Sequence, residues 1–279
     1  MTTTSISGQQ TASRSKILDR YYLRSQFNKH ALTVLAVGIF IFLYVPIFIL
    51  IIYSFNANKV VGVWSGFSLQ WYGKLLQDKA VMDALMVSVW VAFWSTAIST
   101  ILGTLAALAM ERHRFHGRLA LDAGMYLPVI IPDIVMALST LLFFVMFSVT
   151  LSRYTILIAH VAFNISFVAI VVRARLGDMD DDLEEAAADL GADEWQAFRR
   201  VTLPLLMPGI VAAALLAFTL SLDDFVITFF VSGPGSTTLP VRVYSMIKFG
   251  ITPEVNAVST LMFVGSTLLV VVSLLLQRK

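Results

Sequence analysis

Six apolar runs of about 20 residues each, the length a helix needs to cross roughly 30 Å of hydrocarbon, divide this chain. The runs lie at 31–53, 84–110, 123–147, 154–175, 205–231 and 255–276. Hydrophobic residues make up 58% of the 279 positions and charged residues 14%. Soluble domains carry about 25% charged residues. The pattern therefore predicts an all-α, polytopic membrane protein with six transmembrane helices.

The first 30 residues differ from the rest of the chain. Residues 1–15 are rich in Ser, Thr and Gln, and residues 16–30 form a basic, aromatic segment suited to the inner membrane surface. The apolar run that follows is too long for the core of a typical signal peptide and lacks a clear small-residue cleavage site. We therefore expect a cytoplasmic tail over 1–30 and a retained transmembrane domain over 31–279.

Lys and Arg are distributed unevenly between the two sides of the predicted membrane. Fourteen of the 20 lie in the N-terminal tail, in the loops after the second and fourth runs, or at the C-terminus. Positive residues collect on the cytoplasmic side, so both termini are predicted to be cytoplasmic, with membrane lipid as a partner. The formal net charge of +2 is too small to indicate a nucleic-acid partner. Because the chain has no Cys, disulfides and cysteine metal sites are excluded.

The predicted external loop after the first run contains Trp64, Trp71 and Tyr72. Aromatic side chains commonly lie at the level of the lipid headgroups, so we expect them to anchor this loop. Docking of an external partner is the alternative.

A polar stretch, EEAAADLGADEWQAFRRVTLP at 184–204, separates the fourth and fifth runs. Asp182 with Glu185, and Asp193 with Gln196, have the three-residue spacing of a capping box. This spacing predicts two short helices, one starting at each Asp.

Gly191 lies between the two predicted helices, where a left-handed C-cap conformation favours glycine. Each helix carries an apolar stripe at helical spacing. The stripes are Leu183, Ala186, Ala187 and Leu190 in the first helix, and Trp195, Phe198 and Val201 in the second. Such a hairpin either binds a cytoplasmic partner or folds back on its own transmembrane helices, and the local pattern allows both.

Glu185-Ala186-Ala187, Gly191 and Val201-Thr202-Leu203-Pro204 have the spacing E-A-A, three residues, G, nine residues, I-x-L-P. This pattern resembles the signature loop of ABC-type importer permeases, with Val201 in place of Ile as its one departure. The resemblance implies a type I ABC importer permease fold. It also implies a coupling helix, within a loop at about 178–204, that sits in a groove of the cytoplasmic ATPase subunit. The implied ATPase-coupling residues are Glu185, Ala186, Ala187, Gly191, Leu203 and Pro204.

A permease of this kind is expected to bind no nucleotide. We therefore expect no catalytic residue, no metal site and no cofactor in this chain, with ATP and Mg bound by the partner ATPase.

Three carboxylates lie in or near the apolar runs. An ionisable group at bilayer depth costs about 2.5–3.5 kcal/mol on insertion scales and usually faces a cavity. Counting about 1.5 Å per residue puts Asp223 and Asp224 near the external end of the fifth run, and Asp133 a third to half of the way across the third. Such a ladder of negative charge suits a cationic substrate. Alternatively, Asp133 caps a helix broken by Pro128 and Pro132, and the other two only end their helix.

His160 and Asn164 lie four residues apart on the fourth run and share a helix face. Both could face the substrate pathway, and Asn164 is included among the pathway candidates, although hydrogen bonding between helices is the favoured use of both side chains.

The segments LPVIIPDIVMA at 127–137 and LPLLMPGIVAA at 203–213 share the pattern L-P-x-x-x-P-x-I-V-x-A. A weak parallel repeat and a shared proline bend both account for this pattern, and we favour the bend.

A second resemblance concerns the substrate. LYVPIFILIIYSFN at 43–56, WYGKLL at 71–76 and FTLSLDDFVITFFVSGPGSTTLPVRVYSMIKFGITPEVNA at 218–257 are similar to permeases of spermidine/putrescine importers. Within the last segment, SGPGSTTLP at 232–240 favours the putrescine type. The resemblance implies a bacterial inner-membrane protein. Its implied partners are a second, different permease subunit, an ATPase dimer and a periplasmic polyamine-binding protein.

We therefore expect an ATP-driven polyamine permease that works by alternating access, with Asp223, Asp224, Asp133 and Asn164 on its substrate pathway. An ion-coupled secondary transporter for organic cations is the alternative, and it predicts transport by this chain alone. An intramembrane aspartyl protease is disfavoured because no G-x-G-D surrounds any of the three carboxylates.

Overall fold

The computed structural model describes residues 31–60, 62–112, 115–180, 182–250 and 252–277, and the predicted tail over 1–30 lies outside these ranges. The chain divides into two compact units, Met1–Tyr53 and Ser54–Lys279. In chain order the helices are α1 (Ala31–Ser54), α2 (Gln70–Gln77), α3 (Lys79–Arg112), α4 (Arg118–Ile130), α5 (Asp133–Met146), α6 (Arg153–Gly177), α7 (Asp182–Asp189), α8 (Glu194–Ala197), a π-helical segment (Phe198–Thr202), α9 (Leu203–Asp223), α10 (Val226–Val231), α11 (Leu239–Lys248) and α12 (Pro253–Gln277).

The all-α prediction with six membrane spans is confirmed. Within the residues that the structure describes, five helical stretches are each long and apolar enough to cross a membrane, and the bent pair formed by α4 and α5 supplies a sixth. The five are α1, α3, α6, the continuous stretch Glu194–Asp223, and α12.

The third span, predicted over 123–147, is two helices, in agreement with the alternative of a helix broken by prolines, although Pro128 lies inside α4. The axes of α4 and α5 are bent by 113° at the break between them. Proline disfavours helical backbone in the residue before it and has no N–H to donate. Ile131 is accordingly extended, with φ −72° and ψ 133°, and Pro132 precedes the first residue of α5.

The fifth span also differs from its prediction over 205–231. Helix α9 ends at Asp223, and Asp224 is extended with φ −64° and ψ 125° before α10 begins. Helix α9 continues through Pro208, so the second proline motif does not interrupt its helix as the first one does. The expected bend is therefore confirmed in the third span, and in the fifth span it stays a prediction.

Small residues bring the central helices of the second unit close together. Ser95, Ser99, Gly103 and Ala107 recur at four-residue spacing on the buried face of α3. A Cβ added to Gly103 would lie 2.7 Å from Cγ1 of Val168 on α6. Small side chains at such spacing let helix backbones approach closely within a membrane.

The loop between α1 and α3 folds inward at Trp71. Its indole Nε1 donates a 2.6 Å hydrogen bond to the carbonyl of Asn56, and its side chain is only 2% exposed. Trp71 packs with Leu75 of α2 and with Leu239 of α11. The prediction that Trp71 anchors the loop in the headgroup region is therefore wrong, because the side chain is part of the protein core.

Candidate functional site

The break between α9 and α10 places two adjacent carboxylates beside a cavity of about 420 Å³. Asp133, at the start of α5, lines the same cavity as Asp223 and Asp224. Three aromatic side chains, Phe163, Phe167 and Phe225, contribute to its wall. The structure therefore brings the three predicted carboxylates together in one space.

The contacts of the carboxylates place them along two neighbouring helices. His160 contacts Asp224 and lies about 10 Å along α6 from its first residue, at about 1.5 Å per residue. Ser266 contacts Asp223 and lies about 20 Å along α12 from its first residue by the same measure. Helix α9 ends at Asp223, and the position of Asp223 and Asp224 near the external end of their span stays a prediction.

Asp224 is held by groups of this chain. Its Oδ2 accepts hydrogen bonds from the backbone N–H and the hydroxyl of Thr228, both at 2.8 Å. Nε2 of His160 lies 3.2 Å from the same oxygen. Oδ1 accepts a longer bond of 3.3 Å from the N–H of Ile227. Asp224 thus caps the first turn of α10 and ties that helix to α6.

A buried polar network extends from Asp224 to α3. The Ser221 hydroxyl lies 2.7 Å from Nδ1 of His160, and the Ser95 hydroxyl donates to Ser221 at 3.0 Å. His160 and Ser95 are fully buried. Donation from Ser221 to Nδ1 leaves the Nε2–H of His160 free to donate to Asp224. The network joins α3, α6 and α9 at the depth of the cavity.

Asp223 has a different environment. Both of its oxygens lie 2.9 Å from the hydroxyl of Ser266, which can donate only one proton. Asp223 also lines a second, mainly apolar cavity of about 390 Å³, bounded by residues such as Leu222 and Val258. A carboxylate accepts about four hydrogen bonds, so Asp223 keeps acceptor capacity for a ligand.

Asn164 is fully buried and is not among the residues that line the carboxylate cavity. Neither atom of its amide has a hydrogen-bond partner among the described residues. The structure therefore supports neither the pathway interpretation nor the interhelical hydrogen bond that the sequence suggested for this residue.

The second candidate region is the polar stretch between α6 and α9. Helix α7 ends in a Schellman motif, in which the N–H of Ala192 bonds to Ala187 O at 3.0 Å and that of Gly191 to Ala188 O at 2.8 Å. Gly191 has φ +88°, so its predicted left-handed conformation is confirmed.

The two predicted helix starts have different outcomes. The Asp193 side chain accepts a 2.7 Å hydrogen bond from the N–H of Gln196, which confirms a cap at that residue. Asp182 is instead the first helical residue of α7, and its N–H donates to the side chain of Asp180 at 3.2 Å. The capping box predicted for Asp182 and Glu185 is therefore not formed.

The second predicted short helix is the beginning of a long one. Helix α8 continues through the π-helical segment into α9, so Glu194–Asp223 is one helical stretch of 30 residues. Leu203 and Pro204 are the first two residues of α9. They are therefore part of the same long helix that ends at the carboxylates.

The polar stretch exposes several of its apolar side chains to solvent, while one side of α7 faces the rest of the chain. Leu183, Leu190 and Trp195 are 44%, 90% and 65% exposed. Glu185 and Ala186 are exposed, whereas Ala187 is half-buried. The apolar stripe is therefore available to a partner, although α7 also contacts its own chain.

The contacts of α7 with its own chain involve residues that the sequence patterns did not identify. Glu184 Oε1 accepts hydrogen bonds from Arg112 at the end of α3 and from the hydroxyl of Thr202. These partners lie far from Glu184 in the sequence, so only the folded chain reveals them.

Comparisons with known proteins agree with this fold. Residues 99–279 match the family described as "Binding-protein-dependent transport system inner membrane component". The spermidine/putrescine transport system permease protein PotC of Haemophilus influenzae is 40% identical over 94% of this chain and 99% of its own length. The putrescine transport system permease protein PotI of Escherichia coli K12 is 46% identical over 80% of this chain and 82% of its own.

A solved structure gives the same architecture. A chain of a bacterial ABC transporter involved in the import of the acidic polysaccharide alginate superposes with a TM-score of 0.65 at 19% identity, over 89% of this chain and 96% of that chain. This likeness concerns the fold alone, and it confirms the predicted type I importer permease architecture. By its sequence, the chain belongs to the family of inner-membrane components of binding-protein-dependent transport systems.

Proposed function

We propose that this chain is a permease subunit of an ATP-driven importer of polyamines such as putrescine and spermidine. The observation that carries the proposal is the cavity lined by Asp133, Asp223 and Asp224. A polyamine carries ammonium groups separated by methylene segments. Carboxylates can accept charge-assisted hydrogen bonds from the ammonium groups, and phenylalanine rings can pack against the methylenes or attract the cations.

The relatives support this substrate class, since two that cover most of the chain are named as permeases of putrescine or spermidine/putrescine transport systems. As a member of their family, the chain is a transport component and not an enzyme. Its proposed partners are a second, different permease subunit, a cytoplasmic ATPase dimer that binds ATP and Mg, and a periplasmic polyamine-binding protein. Its proposed location is the bacterial inner membrane.

The proposed mechanism is alternating access. ATP binding closes the ATPase dimer and moves α7, which docks through Glu185, Ala186, Ala187 and the exposed stripe. The motion passes through Leu203 and Pro204 into α9 and opens the cavity to the periplasm. Hydrolysis then resets the transporter. Within the cavity, Asp223 is the proposed principal contact for an ammonium group, and Asp133 is a second contact.

Reconstitution tests this function. The chain is co-purified with its neighbouring permease and ATPase, placed in proteoliposomes, and supplied with the binding protein and labelled putrescine on the side that corresponds to the periplasm. We expect uptake that requires both ATP and the binding protein. The ion-coupled alternative predicts uptake without ATPase when a proton gradient is imposed. Such uptake would overturn the proposal.

A further inference from the structure

We propose that Glu184 is a positioning residue that connects the ATPase-facing helix α7 to the two long helices leading to the carboxylate cavity. The inference rests on the proposed function, because it concerns how the motion of a docked ATPase reaches the substrate pathway. It assigns different tasks to two adjacent glutamates. Glu185 faces outward for docking, and Glu184 faces inward for transmission.

The contacts of Glu184 join three elements. Its Oε1 accepts from Nη2 of Arg112, the last residue of α3, and from Oγ1 of Thr202, the residue before α9. Arg112 Nη2 also donates to Thr202 Oγ1 at 3.1 Å, which closes a triangle of polar contacts. Thr202 is fully buried. A displacement of α7 therefore acts on the end of α3 and on the start of α9 together.

The same two helices meet again at the cavity. Ser95 of α3 donates to Ser221 of α9 at 3.0 Å, close to the break that holds Asp223 and Asp224. Helices α3 and α9 are thus joined at the cytoplasmic end through Glu184 and near the carboxylates through the serine pair. This double attachment gives α7 a continuous physical route to the substrate pathway.

The local structure at Thr202 suits a moving joint. Residues Phe198–Thr202 form a π-helical turn, and the N–H of Leu203 bonds back to the carbonyl of Phe198. Such turns interrupt the regular α-helical pattern and occur often at functional sites. The side chains of Arg112 and Glu184 are 32% and 36% exposed. Ion pairs this open to solvent contribute little to stability, so breaking this one should leave the fold largely intact.

Matched variants test the inference in the assembled complex. Glu184→Gln and Glu185→Gln each remove one negative charge from adjacent positions of α7. For each complex, the retained ATPase, the rate of ATP hydrolysis and the rate of putrescine uptake are measured. We expect Glu184→Gln to retain the ATPase while uptake per ATP hydrolysed falls on the order of fivefold or more, within the usual range of coupling between sites. We expect Glu185→Gln to retain less ATPase, with the same uptake per ATP in the complexes that assemble.

A double variant shows whether Arg112 and Glu184 act as one unit or independently. Arg112→Gln should reduce uptake per ATP as Glu184→Gln does. The two changes together should be no worse than either alone, because residues that act as a unit show non-additive effects. Multiplying effects would overturn the inference, as would ATPase loss in Glu184→Gln equal to that in Glu185→Gln.

The wild-type complex distinguishes this inference from the function on which it rests. If it shows no ATP-dependent uptake, the proposed function fails and the inference fails with it. If the wild type transports and Glu184→Gln has the same uptake per ATP, the inference alone is overturned.

Discussion

Asp223 and Asp224 are neighbours in sequence, but the end of α9 between them gives each carboxylate a different task. Asp224 accepts from Thr228 and contacts His160, so its hydrogen-bonding capacity is largely used within the chain. The two oxygens of Asp223 lie beside one hydroxyl donor, that of Ser266, and Asp223 lines two cavities. The structure therefore separates a structural carboxylate from one that is free to bind.

This difference predicts unequal effects for two matched variants. Asp223→Asn should reduce putrescine uptake on the order of ten- to a hundredfold, because a hydrogen bond to a charged group contributes about 1.5–3 kcal/mol. The assembled complex and its basal ATP hydrolysis should remain. Asp224→Asn should instead lower the melting temperature of the complex. The Asn amide has one acceptor oxygen where the carboxylate has two, so it replaces poorly the group that accepts from Thr228 and contacts His160.

Asp83→Asn serves as the control for loss of charge, since Asp83 is exposed at the start of α3 and does not line the carboxylate cavity. Putrescine uptake and thermal unfolding are measured for all three variants. Wild-type uptake by Asp223→Asn across a range of putrescine concentrations would remove Asp223 from the proposed pathway.

Gly233 lies in a recognisable motif, but steric packing alone explains why glycine occupies this position. It belongs to the SGPGSTTLP segment that resembles putrescine permeases. A Cβ at this position would lie 1.8 Å from the carbonyl oxygen of Leu151, so a side chain is excluded there. The Ser236 hydroxyl also bonds to the backbone of Gly233 on both sides. Gly233 therefore supports the packing of a loop and by itself carries no information about the substrate.

At the scale of helices, hydropathy predicted the number and type of the spans, and local chemistry predicted only some of their interruptions. Pro132 and Pro208 occupy equivalent positions in the same motif, yet the helix ends at the first and continues through the second. Gly209, next to Pro208, lies against Arg175 of α6, with the position of an added Cβ only 2.7 Å from Arg175 Cγ. This contact with α6 involves a residue distant in the sequence, so the proline motif alone does not reveal it.

The candidate site, too, was predictable from the sequence only in part. Its carboxylates were identifiable because charged residues are rare and costly in apolar runs. Their partners were not identifiable, because Ser221, Ser266 and Thr228 are ordinary small polar residues that fold brings to Asp223, Asp224 and His160. The cap at Asp193 and the turn at Gly191 were predictable because both depend on neighbouring residues only.

The Schellman motif at the end of α7 gives a prediction for docking. Gly191→Val forces a β-branched residue into φ +88°, where L-residues are disfavoured by about 1–2 kcal/mol. The turn should rearrange and direct α7 away from the groove of the ATPase subunit in which it is proposed to dock. Less ATPase should then co-purify, although the permease is still inserted in the membrane. Gly191→Asn is the matched control, because Asn tolerates the left-handed conformation. Equal ATPase retention by the Val variant and the wild type would contradict a docking role for this turn.

At the scale of the whole second unit, close contacts between helices make the bundle suited to move as a body. Gly103 packs against Val168, Gly209 packs against Arg175, and a serine pair joins α3 to α9. Contacts this close resist local deformation, because packed interiors transmit strain. Motion is therefore expected at the interruptions, which are the π-helical turn, the bend before α5 and the break after α9.

The lack of cysteine makes this motion directly measurable, because an introduced thiol is the only one in the chain. Thr219→Cys places a thiol on the wall of the carboxylate cavity, and Thr150→Cys places one on an exposed loop predicted to be external. ATP-driven opening to the periplasm predicts that an impermeant, positively charged thiol reagent added outside modifies Thr219→Cys faster when ATP is bound and hydrolysis is blocked than without nucleotide. Thr150→Cys should react equally fast in both states, since its exposure does not depend on the cavity. An equal rate for Thr219→Cys in the two states would contradict alternating access at this cavity, because the carboxylates would then face the same side throughout the cycle.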